Sequence, residues 1–159
     1  MKFSIIVCIN NKLTIGKDNG LLYHIKTDLR NFKSLTTDNV IICGRKTYES
    51  LPKILPGRKN IVISTTNIKN GEIEVYKSIR DFLVEYQNSN DEIFIIGGAS
   101  IYKAFIDLAS KMYLTQIDSE EINADVYFPK FDISDWNKEI ISNHEENNIK
   151  YSHVLYKRK

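Results

Sequence analysis

The chain has little cysteine, proline or glycine: 2, 3 and 7 residues respectively among 159. Two cysteines cannot build a disulfide framework. Cys8 and Cys43 both sit inside apolar runs and read as small buried hydrophobes. Neither C-x-x-C nor H-E-x-x-H occurs, so no structural metal is expected, and a reducing cytoplasm is the natural compartment. No apolar run approaches the roughly 20 residues that cross a bilayer, so no membrane association is expected. The run Phe3 to Ile9 after Lys2 is short, lacks a small-x-small cleavage pattern and ends at Asn10-Asn11-Lys12, which makes it a first strand and not a signal peptide. An excess of one charge is also missing. Twenty-two basic residues against 20 acidic ones give +2, which excludes the strongly basic stripe of a nucleic-acid-coating protein but not a small anion held by a few cations. G-x-G-x-x-G, the P-loop and G-x-S-x-G are all absent.

What is present is 42% apolar and 26% charged residue, enough for one core, and residues 1–159 read as a single domain. Short apolar runs alternate with amphipathic stretches, the pattern of an α/β domain. Strands are expected at 3–9, 40–43, 61–64, 73–76, 93–96 and 112–117. Helices are expected at 27–35, with Leu29, Phe32 and Leu35 at helical spacing; at 45–51, stopped by Pro52; along the stripe Ile79, Phe82, Leu83, Tyr86; and at about 100–109. Residues 10–20 are turn-rich. Ile140 to Asn143 and Tyr151 to Tyr156 read as a closing antiparallel pair around Glu145-Glu146-Asn147-Asn148.

Several features carry chemistry. Gly97-Gly98 joins a fully apolar strand to a helix, where backbone N–H groups can hold a phosphate at close approach; it reads equally as a tight turn. Gly44-Arg45-Lys46-Thr47 repeats the arrangement with two cations and a hydroxyl, and Ser64-Thr65 closes a third apolar strand with two hydroxyls. If these strand ends are neighbours they form a phosphate pocket, and the basic pair favours a 2′-phosphate over a free ribose hydroxyl. Asp28 reads either as a first-turn aspartate favouring the helix dipole or as a carboxylate facing an apolar cleft beside Phe32. Arg58 is a turn arginine whose planar fork suits a carboxylate. His24, His144 and His153 show no spacing that implies a site and read as surface or loop residues.

Taken in order, six segments resemble dihydrofolate reductase over essentially the whole chain. They are Ile15-Gly16-Lys17-Asp18-Asn19-Gly20, Thr27-Asp28-Leu29-Arg30-Asn31-Phe32-Lys33, Gly44-Arg45-Lys46-Thr47-Tyr48-Glu49-Ser50, Leu55-Pro56-Gly57-Arg58-Lys59-Asn60, Ile95-Ile96-Gly97-Gly98-Ala99-Ser100-Ile101-Tyr102 and Tyr113-Leu114-Thr115-Gln116-Ile117-Asp118. The resemblance implies a mixed, mainly parallel eight-stranded sheet flanked by four helices, with an antiparallel carboxyl-terminal strand. It implies hydride transfer from NADPH to 7,8-dihydrofolate by a monomer that antifolates would inhibit.

It also implies site roles. Asp28 would be the sole ionisable group of the pterin pocket, accepting from the 2-amino group and N3, with Thr115 fixing its orientation. Ile6, Val7, Leu29, Phe32, Leu51, Leu55 and Ile96 would line the substrate cleft, and Arg58 would pair with the glutamate tail. Arg45, Lys46, Ser64, Thr65 and Lys77 would take the 2′-phosphate and adenine side. Gly44, Thr47, Gly97, Gly98, Ala99, Ser100 and Ile101 would cradle the pyrophosphate, with Tyr102, Val7 and Ile96 near the nicotinamide. Residues 16–23, with Ile15, Gly16, Asn19 and Leu21 on the cofactor, would form a closing loop braced by Asp125. Leu22 and Tyr23 stand where many members have Pro-Trp, so Tyr23 would offer a hydroxyl to the water network that serves catalysis. Lys26 replaces a frequent proline, and Ser100 a frequent cation. Two alternatives stand beside this reading: a pyrimidine reductase on the same fold, which need not keep Asp28, Phe32 and Arg58 together, and a nucleotide-binding module without catalysis.

Overall fold

The computed structural model describes residues 2–17, 20–21, 25–51, 53–121 and 124–159. The expectations at Asn19, Leu22, Tyr23, His24 and Pro52 lie outside the described residues. The strands are β1 (Lys2–Asn10), β2 (Thr14–Lys17), β3 (Gly20–Leu21), β4 (Val40–Gly44), β5 (Lys59–Ile63), β6 (Ile73–Tyr76), β7 (Glu92–Gly97), β8 (Lys111–Ile117), β9 (Val126–Tyr127), β10 (Trp136–Glu146) and β11 (Ile149–Arg158). The helices are α1 (Lys26–Thr36), α2 (Arg45–Ser50), α3 (Ile79–Tyr86) and α4 (Ala99–Phe105).

The main sheet has eight strands in the order β10-β11-β8-β1-β7-β4-β5-β6. Pairings from β8 through β6 are parallel; β11 runs antiparallel to β8 and to β10. The sequence explains this layering. β1, β4 and β7 are nearly continuous apolar runs buried along their length, as strands covered on both faces must be. β10, at the edge, exposes most of its side chains. The main core joins one face of β1 to α3 and α4 through Ile5, Ile42, Phe82, Ile95, Phe105 and Met112, each 0% exposed. A smaller cluster on the other side holds Ile6, Ile41 and Phe94, with Phe32 and Leu35 of α1 packed on it.

Three details differ from the sequence reading. The turn-rich stretch after β1 forms a second, three-stranded sheet in the order β3-β2-β9, whose strands are too short to show an apolar period. The closing hairpin is longer than expected and turns on Asn147 and Asn148 alone, at φ 52° and 62°, the left-handed pair that matches strand twist. α4 ends at Phe105, short of 109, because Arg158 arrives from β11 to take the late carbonyls: Nε donates to Ala109 O at 2.9 Å and Nη2 to Ile106 O at 2.6 Å. Among the described residues no helix is long and apolar enough to cross a membrane.

Candidate active site

Parallel strands end together, so their carboxyl ends gather whatever chemistry follows them. β4 lies between β7 and β5, with Cys43 opposite Gly97 and Gly44 opposite Ile63. The condition set on the three glycine- or hydroxyl-bearing strand ends, that they be neighbours, is met in the sheet. Gly98 precedes α4, and Gly44 precedes α2.

The double glycine lies where a side chain would be crowded. The Gly97–Gly98 peptide is cis, and Gly97 has φ 133°. A Cβ on Gly98 would stand 3.3 Å from Thr47 Oγ1; on Gly97 it would stand 3.3 Å from the same oxygen and 3.5 Å from the Tyr102 hydroxyl. Thr47 thus leans over a backbone that carries no side chain, a shallow cradle. Gly97→Ala is expected to cost about 1–3 kcal/mol of stability through its positive φ. A urea midpoint equal to that of the parent protein would show that the backbone accepts a side chain there.

Around the cradle the predicted residues differ in what holds them. Tyr102 is buried and donates from its hydroxyl to Ile6 O at 2.9 Å, and burial raises its pKa far above the phenolic range. Ile101 is buried against Gly44, while Ser100 is exposed. Arg45 is engaged in an exposed pair with Glu49 at 2.9 Å, and Lys46 is exposed. Ser64 is buried, and its hydroxyl is committed to a local turn, donating to Thr66 O at 2.8 Å and accepting from Thr66 N at 3.1 Å. Thr65 and Lys77 are exposed. Ile15 is half-buried and Gly16 buried on β2, and Leu21 lies on β3. The Gly16 carbonyl accepts from Asp125 N at 3.1 Å, so the neighbouring loop does touch this segment, through backbone.

The second half of the site lies across β1. Asp28, in the first turn of α1, is half-buried, and its Oδ1 accepts from the hydroxyl of Thr115 on β8. Beside it are Ile6, Phe32, Leu55 and Ile96, which the smaller apolar cluster brings together; Val7, on the opposite face of β1, belongs to the main core. Leu29 is 52% exposed, so one apolar side chain of α1 faces outward beside the aspartate. Leu51 is half-buried at the end of α2. Arg58 follows Gly57, whose φ of 72° makes the turn. Its guanidinium donates to Pro56 O at 2.9 Å and to Thr36 Oγ1 at 3.2 Å, and partial burial lowers its pKa. Two of its five donors are thereby spent on holding the fork at the carboxyl end of α1.

Both thiols lie close to this region, and in both burial disfavours the thiolate. Burial, with a smaller contribution from the Asp28 charge, pushes the Cys8 thiol far above its ordinary value; burial pushes Cys43 up to about 12.

One partner was not found by sequence reading. His153, read as a surface residue, is on β11 directly opposite Thr115, and its Nε2 is 3.3 Å from Asp28 Oδ1. Asp28 is therefore not the only ionisable group at this place. A second unexpected contact sits at the start of α1. Ile25 supplies no cap; Glu146 of β10 accepts from Lys26 N at 3.0 Å and from Thr27 Oγ1 at 3.3 Å. A carboxylate from the far end of the chain thus does the work of a helix cap.

A surface hollow of about 490 Å³ opens at the opposite ends of the strands around Lys59, Glu74, Tyr76 and Tyr86. There Lys59 and both tyrosine hydroxyls already satisfy Glu74.

The family model described as dihydrofolate reductase matches residues 2–158. Dihydrofolate reductase of Bacillus subtilis (strain 168) is 37% identical over 162 residues, covering 98% of this chain and 94% of that protein. That of Haemophilus influenzae (strain ATCC 51907 / DSM 11121 / KW20 / Rd) is 38% identical over 136 residues, covering 86% and 84%. That of Buchnera aphidicola subsp. Acyrthosiphon pisum (strain APS) is 45% identical over 132 residues, covering 82% and 81%.

Proposed function

The chain belongs to the dihydrofolate reductase family, and from that membership we propose that it reduces 7,8-dihydrofolate to tetrahydrofolate with NADPH as the hydride donor. The observation that best supports this reading is Asp28, anchored by Thr115 at the edge of an apolar cluster that includes Phe32 and Ile6. Its Oδ2 meets no donor among the described residues and is left to accept from a ligand, and a pterin presents two donors along one edge.

The residues fit a nicotinamide dinucleotide. A Cβ would crowd the Gly97–Gly98 cradle under Thr47, and Arg45 and Lys46 open α2 on the adjacent strand. Gly98, Ala99, Ser100, Ile101 and Thr47 would hold the pyrophosphate, and Arg45 and Lys46, with Thr65 and Lys77, the 2′-phosphate side. Ser64 would contribute its position and backbone, since its hydroxyl is used. The bound cofactor supplies a hydride.

The chain does the rest. Asp28 would accept from the pterin 2-amino group and N3, fixing the ring against Phe32, Leu55 and Ile96. Thr115 would hold the carboxylate in that orientation. Asp28 cannot reach N5, so its part in protonating that nitrogen would be electrostatic, with water carrying the proton. Arg58, with donors left beyond Pro56 and Thr36, would grip the carboxylate of the substrate tail.

The test is a spectrophotometric assay. Purified protein is expected to consume NADPH only when dihydrofolate is added, and to prefer NADPH to NADH. Cofactor binding without turnover would instead identify a binding module, and turnover of an aminopyrimidine but not of dihydrofolate would identify the related reductase.

A further inference from the structure

Alternation along a strand sends successive side chains to opposite faces, so one inserted residue reverses every assignment beyond it. β10 carries such an insertion. Ile140 pairs with Val154, but Ser142 pairs with His153, leaving Ile141 as the extra residue of a bulge. Beyond it Ser142 and His144 share a face with His153 and Tyr151. Without the insertion, Ile141 and Asn143 would face them.

The bulge thereby builds a polar chain ending on the aspartate. His144 stacks on Tyr151, with centroids 5.1 Å apart and planes at 16°. Its Nε2 lies 2.7 Å from Ser142 Oγ, and Ser142 Oγ lies 3.4 Å from His153 Nδ1. His153 Nε2 faces Asp28 Oδ1 at 3.3 Å. One assignment satisfies every member: His144 donates to Ser142, Ser142 donates to His153 Nδ1, and the remaining His153 N–H, on Nε2, donates to Asp28. A cavity of about 160 Å³ lined by Asn31, Leu35, Tyr113 and Ile141 flanks the imidazole, whose side chain is 12% exposed.

A carboxylate oxygen has room for about two donors. Oδ1 of Asp28 already has two, Thr115 and His153, and among the described residues no donor reaches Oδ2. We propose that His153 is a positioning residue for the reaction: with Thr115 it saturates Oδ1 from behind and turns Oδ2 toward the pterin. This rests on the dihydrofolate reading. Thr115 alone would leave the carboxyl plane free to tilt about that single contact; two donors on separate strands define the plane.

The test compares His153→Phe, which keeps the ring and its packing but has no donor, with His153→Gln, whose amide N–H can reach the Nε2 position. His153→Phe is expected to raise KM for dihydrofolate about tenfold, the size of one hydrogen bond to a charged group. kcat should stay within about twofold, because ground and transition states use the same hold, and His153→Gln should recover most of the loss. A KM in His153→Phe within about twofold of the parent, or a loss that His153→Gln fails to repair, overturns the proposal. A second readout needs no turnover. The imidazole NMR signals of His153 should move in Asp28→Asn protein, and unmoved signals would also overturn it. A parent protein that does not reduce dihydrofolate defeats the functional reading instead, which separates the two failures.

Discussion

Asp28→Asn is expected to lower kcat for dihydrofolate by about 10²–10³-fold at neutral pH, while NADPH affinity stays within about twofold of the parent protein. The amide matches the carboxylate in shape, so packing against Phe32 and the donation from Thr115 can persist. Two things change. The charge that favours a positively polarised pterin is gone, and one of the two acceptor atoms becomes a donor aimed at a donor. An unmatched buried polar pair of that kind is strongly unfavourable. The cofactor cradle is built from different strands, at Gly44 and Gly97, and does not include Asp28. Lowering the pH should restore part of the rate, because substrate already protonated in solution needs less help from the protein. The check is steady-state kinetics from mildly acid to mildly alkaline pH, with cofactor titration by fluorescence. Near-parental turnover at neutral pH would remove Asp28 from the mechanism.

The second large effect concerns cofactor choice. Arg45→Ala combined with Lys46→Ala should reduce the ratio of kcat/KM for NADPH over NADH by about 100-fold, since each charge-assisted hydrogen bond is worth about 1.5–3 kcal/mol. The present partner of Arg45 does not compete seriously. Its pair with Glu49 is an exposed i,i+4 contact at 2.9 Å, of a kind worth about 0.3–0.5 kcal/mol. An incoming dianion outbids it. Lys46 is exposed, so the double variant should unfold within about 1 kcal/mol of the parent. Kinetics with both dinucleotides decide the matter; an unchanged ratio would place the 2′-phosphate elsewhere.

The parts of the molecule that were legible in the sequence are those governed by local pattern. Val40 to Cys43 and Ile93 to Ile96 are uninterrupted apolar runs, and both became central strands. Asp28 followed by Leu29 and Phe32 at helical spacing placed a carboxylate beside an apolar face, and Thr115 came with the family resemblance. The illegible parts depend on register between distant segments. His153 meets Asp28 across 125 positions because β11 pairs antiparallel with β8. Ser142 and His144 join it only because Ile141 is skipped, and nothing in the run Ile140-Ile141 announces which residue will be extra. Glu146 capping α1 is the same kind of event. At Ser64 the hydroxyl expected to meet a phosphate has a nearer partner, Thr66.

Sheet order also bears on synthesis. β1 is made before the two strands that flank it in the interior of the sheet, β7 and β8, which follow roughly 90 and 110 residues later. A nascent polypeptide therefore carries an unpaired apolar ribbon until those two strands have been made. A premature stop codon just ahead of Tyr151 would leave the Gly97–Gly98 turn and Asp28 encoded. It would delete the residues of β11 that pair with Thr115, so the contact of His153 with Asp28 forms only once residues 151–158 have been added.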